Sequence, residues 1–172
     1  MKFQVRNVVV KAQLCCSTET LSLKDFMPFA SVQFTHRPTM AKFYHSGLTI
    51  LIFSSLKCRS MGLPDCTNDL NEIAEKHKEI LRSFCKTFPW PLELTNISMS
   101  TSTVTHQIPF PVSLHADYFL YEPDLFSAAK LRVVNESAHV NVFANGKVIL
   151  LGIKSQEHAE TLLHHLYTCV HK

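Results

Sequence analysis

The sequence has six cysteines but no C-x-x-C spacing among Cys15, Cys16, Cys58, Cys66, Cys85 and Cys169. That argues against a zinc knuckle or a dithiol redox pair. It has no long hydrophobic run either. The longest, near Leu48–Phe53, is strand-sized and far short of a membrane span, so no membrane partner is expected. No long apolar run follows Lys2, which makes the N-terminus a poor signal peptide. A reducing compartment with free, mostly buried thiols is the expectation. Charge is scarce: 18% of residues are charged and the net charge is +3. This excludes a histone-like or arginine-rich binder, while still permitting a polyanionic partner. The ten histidines show no metal-ligand pattern; His164 and His165 are adjacent on a predicted helix and point apart. Most imidazoles are read as surface or rim groups. There is no nucleophile–base–acid spacing, phosphate loop or metal set, so neither an enzyme nor a cofactor is expected.

What is present is a core-forming composition, 46% apolar, and an internal repeat. Phe53 and Phe143, Lys57 and Lys147, Gly62 and Gly152, and Asp65 and Ser155 are each 90 residues apart. Arg6-Asn7-Val8-Val9 matches Thr95-Asn96-Ile97-Ser98 at an offset of 89. Met40-Ala41-Lys42-Phe43-Tyr44 matches Ala128-Ala129-Lys130-Leu131-Arg132 at an offset of 88. The halves are 1–88 and 89–172.

Each half opens with a predicted strand, Phe3–Leu14 or Leu92–Val104. A short helical or irregular segment follows, around Leu21–Phe29 or Val112–Tyr118. Three strands come next: Thr39–His45, Leu48–Ser54 and Cys58–Gly62, against Ala128–Val134, Ala138–Ala144 and Val148–Gly152. Asn145-Gly146 is a strong hairpin signal, and Ser55-Leu56 a poorer turn at the same place. Apolar residues at helical spacing, including Leu70, Ile73, His77, Leu81 and Phe84, predict a helix over Asp65–Cys85; a second is predicted over Ser155–Val170. Asp65 and Ser155 are the expected N-caps. The order predicts an α+β fold: one antiparallel sheet with the long helices on one face and the other face open. Alternation puts His139, Asn141 and Phe143 together on the open face.

Tyr121-Glu122-Pro123-Asp124-Leu125-Phe126 resembles the Y-E-P-E-L-F signature of the TATA-binding-protein family. Asn145–Lys154 is similar to that family's S-G-K-V-V-L-T-G-A-K, and Leu51–Ser55 to its L-I-F-S-S. Phe126 and Phe143, 17 apart, match the spacing of a pair of wedge phenylalanines. The resemblance spans essentially the whole chain. It implies a TBP-like saddle: two pseudo-symmetric repeats forming one curved antiparallel sheet, with helices on the convex face. It further implies a nuclear (or viral) transcription initiation factor that binds and bends AT-rich double-stranded DNA through the minor groove. On the same grounds Phe126, Phe143 and Phe53 would be wedges. Asn7 and Asn96 would read groove acceptors, Val9 and Ile149 would make apolar contacts, and Lys57, Lys147, Arg132 and Lys154 would lie near phosphates. Glu122, Asp124 and Leu125 would form a stirrup for a transcription factor IIB-like protein; a IIA-like partner and a homodimer through the concave face are further options.

The chain also departs from the family. The first-half partner of Phe53 should fall near His36–Pro38, where no Phe stands. Met61 and Leu151 replace groove-facing threonines, Arg59 replaces a valine, and His139, Asn141 and Ser98 take apolar positions. The helix after Gly62 carries Asp69, Glu72, Glu75 and Glu79 beside Lys76, Lys78 and Arg82, which points to different protein partners. These departures support an alternative reading: an adapter or decoy that binds general transcription factors and holds DNA weakly or not at all.

Overall fold

The computed structural model describes residues 2–32, 39–63, 68–134 and 136–171. The predicted N-cap Asp65 and the His36–Pro38 position lie outside them. The chain divides into two compact units. The N-terminal unit holds Asn7–Thr67 and Asn71–Ser100; the C-terminal unit holds Met1–Arg6, Asn68–Leu70 and Thr101–Lys172. Strands β1 (Gln4–Cys16) and β5 (Leu92–Gln107) each contribute to both.

In the N-terminal unit, β2 (Met40–His45), β3 (Leu48–Phe53), β4 (Lys57–Gly62) and β1 form an antiparallel sheet in that order. The predicted short helical segment is α1 (Leu23–Phe26), continued by a 3₁₀ turn at Met27–Phe29. Strand alternation buries Leu48, Ile50 and Ile52 and leaves Thr49, Leu51 and Phe53 half-buried on the other face. Helix α2 (Leu70–Cys85) covers the buried face: Phe84 stands edge-on to Phe43 of β2, with ring centroids 5.0 Å apart. The predicted stripe is buried, including Leu70, Ile73, Leu81 and Phe84.

In the C-terminal unit the order is β5, β9 (Lys147–Ile153), β8 (His139–Phe143), β7 (Ala128–Leu131) and a two-residue edge strand β6 (Phe119–Leu120) that the pattern did not predict. The Val112–Tyr118 segment is irregular and contains no helix. Helix α3 (Gln156–Val170) begins at the expected N-cap, where the Ser155 hydroxyl accepts the His158 N–H at 3.1 Å. Its Leu162, Leu163 and Leu166 are buried, and Tyr167 meets His106 of β5 at 2.8 Å.

Two expectations need correction. Of the described cysteines only Cys58 and Cys85 are buried; Cys15 is exposed, and Cys16 and Cys169 are half-exposed. All five are free thiols. Burial pushes the Cys58 thiol up to about 12 and that of Cys85 to about 11, so both stay protonated. The second concerns the first-strand repeat, which the site makes visible.

Candidate functional site

The C-terminal unit presents Phe126 and Phe143, the expected wedge pair, on the face away from α3. Glu122 folds the Tyr121–Phe126 hexapeptide into a turn, its carbonyl accepting the N–H groups of Leu125 and Phe126, both at 3.0 Å. The turn thrusts Phe126 outward, 52% exposed, edge-on to Phe143 with centroids 6.1 Å apart. The Lys147 ammonium stands 5.9 Å from the Phe143 ring centroid. Ile149, half-buried on the same face, lies opposite Asn141 on one side and Thr105 on the other. His139 is exposed and faces Leu151. Arg132 is exposed just beyond β7. Glu122 and Asp124 are exposed, and Leu125 is 79% exposed. So large an exposure of an apolar side chain beside two carboxylates has no folding role.

In the N-terminal unit, Asn7 and Val9 are half-buried on β1, Phe53 is half-buried at the end of β3, and Lys57 is exposed at the start of β4. Val9 pairs with Met61. Phe126 lies two residues before Ala128, which pairs with Phe143. Met40 pairs with Phe53 in the same way; the partner of Phe53 expected near His36–Pro38 lies outside the described residues.

The 90 offset holds in the hairpins and the 88 offset in the strands beside them, but the 89 offset for the opening strands fails. In the N-terminal unit Val9, Lys11 and Gln13 face Met61, Arg59 and Lys57. In the C-terminal unit Thr103, Thr105 and Gln107 face Leu151, Ile149 and Lys147. The equivalent pairs, such as Val9 and Thr103, are thus 94 apart. Hydrogen bonds repeat at the same spacing. The Gln13 amide donates to the carbonyls of Leu14 and Ser55 (3.4 and 3.0 Å); the Gln107 amide donates to those of Ile108 and Asn145 (both 2.9 Å). Asn7 therefore corresponds to Thr101. Asn96, exposed with a left-handed φ of 53°, does not correspond to it. The second half lacks the counterpart of α1, so its opening strand reaches β7 in fewer residues and the offset drops.

Two polar clusters support the frame. His77 of α2, part of the predicted stripe, is fully buried: its Nε2–H donates to the Gly62 carbonyl (3.2 Å), and Nδ1 accepts from Ser60 Oγ (2.8 Å). Burial holds this imidazole below its ordinary value, against the opposing pull of the Gly62 carbonyl. Glu136 accepts the N–H groups of Ala138 and Ser137 and faces His158 Nε2 at 3.1 Å. Chiefly through the Ala138 N–H, its carboxyl is held down at about 2. Among the described residues no His, Cys, Asp and Glu side chains cluster as metal ligands, and no helix is long and apolar enough to cross a membrane.

Residues 87–172, half of the chain, match the family described as transcription factor TFIID (or TATA-binding protein, TBP). The chain is 25% identical over 178 residues to the rat protein "TATA box-binding protein-like 2", an alignment covering 95% of the chain and 48% of the relative. It is 24% identical over 168 residues to the Drosophila melanogaster TATA-box-binding protein, covering 90% of the chain and 44% of the relative. The chain therefore spans about half the length of these relatives. Among solved structures, Methanococcus jannaschii TBP shares the fold: the TM-score is 0.73 at 19% identity, covering 99% of this chain and 98% of that one.

Proposed function

Given that the chain belongs to the TATA-binding-protein family, we propose that it is a non-enzymatic nuclear factor that binds AT-rich double-stranded DNA and bends it through the minor groove at the start of transcription. The observation that carries this reading is the Phe126–Phe143 pair. An aromatic 52% exposed, edge-on to a second ring on a sheet face, with a cation beside it, has the form of a stacking wedge. A ring inserted between base steps replaces lost stacking, and the bend brings more protein surface onto the duplex. Phe53 is the wedge of the first repeat; Asn7, Val9 and Ile149 line the groove; Lys57, Lys147 and Arg132 approach phosphates. We take the repeats as 1–88 and 89–172. The test is gel shift and bending on AT-rich duplexes. Phe126→Ala with Phe143→Ala should abolish most of the bend; Phe126 is exposed but Phe143 is half-buried, so circular dichroism of the double variant checks that the fold is kept. Wild-type chain that binds no duplex would refute the reading.

The exposure of Leu125 beside Glu122 and Asp124 supports a second activity, docking of a factor IIB-like protein. In the adapter reading this docking stands alone, without DNA. A pull-down with Glu122→Arg and Leu125→Ala variants separates the two: capture that the variants abolish, by wild type that has no duplex affinity, selects the adapter.

A further inference from the structure

Register lays Lys11, Arg59, Leu51 and Lys42 in one row across β1, β4, β3 and β2 of the N-terminal unit. The matching row of the C-terminal unit is Thr105, Ile149, Asn141 and Lys130. One row thus has three cations and the other has one, and neither contains a carboxylate. Lys11 and Arg59 are exposed. Both line a groove of about 340 Å³ together with Gln13, Lys57 and Asn96. The Arg59 guanidinium stands 5.6 Å from the Phe53 ring centroid, and the Lys42 ammonium 5.0 Å from that of Tyr44, itself 59% exposed. Lys11 and Arg59 stand opposite each other on adjacent strands as like charges, and no carboxylate in the row offsets them.

We propose that this row is a polyanion-binding site of the N-terminal unit, with Arg59 as its reader of the minor-groove edge and Lys11 and Lys42 as its phosphate contacts. The proposal rests on the DNA-binding reading above and adds where salt-dependent affinity resides. A guanidinium is planar and carries five donors, whereas A·T pairs offer only acceptors in the minor groove. A narrow minor groove concentrates negative potential and draws arginine in. Ile149, in the equivalent place, makes only van der Waals contact. The N-terminal row thus adds recognition of a narrow, electronegative groove to the wedge Phe53 beside it, whereas the matching row of the C-terminal unit has a single cation, Lys130.

The experiment measures affinity of the full chain for AT-rich duplexes between about 50 and about 200 mM salt. Replacing Lys11, Arg59 and Lys42 together by Gln should lower the slope of log K against log salt by about two, at about 0.9 for each of the two phosphate contacts. Lys130→Gln should lower it by about one at most. Arg59→Ile copies the residue that the other repeat carries in the equivalent place, Ile149, so the sheet accommodates it. That variant should erase any preference for A-tracts over alternating AT sequence, with circular dichroism unchanged. Wild type that binds, with slope and A-tract preference unaltered in these variants, overturns the row but leaves the DNA reading standing. Wild type that binds no duplex overturns both.

Discussion

Leu56 holds a left-handed φ of 57°, the conformation Gly146 adopts at 83° in the equivalent turn. Both end three-residue hairpin loops, with Leu56 N–H donating to the Phe53 carbonyl and Gly146 N–H to that of Phe143. The turns differ in the space around them. A Cβ at Gly146 would collide with the Ile108 carbonyl oxygen and lie 2.8 Å from that of Phe110. Gly146→Ala should therefore destabilise the chain by about 1–3 kcal/mol, through φ strain and this collision together, read as a lower urea midpoint. His77 gives a second residue-level expectation. Its folded-state proton affinity is depressed by burial, so the unfolded chain takes up the proton first as pH falls. The associated stability is complete above about pH 6.5 and is lost as pH drops below it. Urea midpoints at about pH 8 and about pH 5.5 should differ less in His77→Gln than in wild type; equal differences would remove His77 as the cause.

At the scale of elements, the strands and long helices were legible because alternation and helical spacing are printed in the apolar residues. The failures have identifiable causes. The edge strand β6 is only two residues long, too short for alternation to announce, and the irregular Val112–Tyr118 segment, one of the two forms expected there, leads into it through turns. The thiols were assigned to the core on residue type alone, whereas Cys15 falls on the outward beat of β1. The N-cap of α3 was legible, since Ser155 precedes an apolar helical run. Its hydroxyl satisfies the His158 N–H, an otherwise orphaned donor. Ser155→Ala should cost about 1 kcal/mol and lower the thermal midpoint, while Ser155→Asp should restore most of it.

At the scale of the whole molecule, the antiparallel α+β fold was legible from the repeated order of strands and helices. The equivalence of the opening strands was not. A shared Asn followed by an aliphatic residue aligned Asn7 with Asn96, but only strand register counts the residues between that strand and the hairpin. The glutamines settle the count, since Gln13 and Gln107 clamp equivalent turns. A further prediction about DNA follows. If Asn7 reads a minor-groove acceptor, its counterpart is Thr101, whose single hydroxyl replaces an amide with two donors. Asn7→Ala should weaken binding to an AT-rich duplex about tenfold, as expected for one base-edge contact. Asn96→Ala should weaken all sequences alike and less than about threefold, since Asn96 borders the cationic groove. Thr101→Asn should sharpen the preference for A·T over G·C pairs, because the added amide would meet the guanine amino group unfavourably. Titrations of the three variants against AT-rich and GC-substituted duplexes decide between the two alignments. A sequence-dependent loss at Asn96, with none gained at Thr101, would return the role to Asn96.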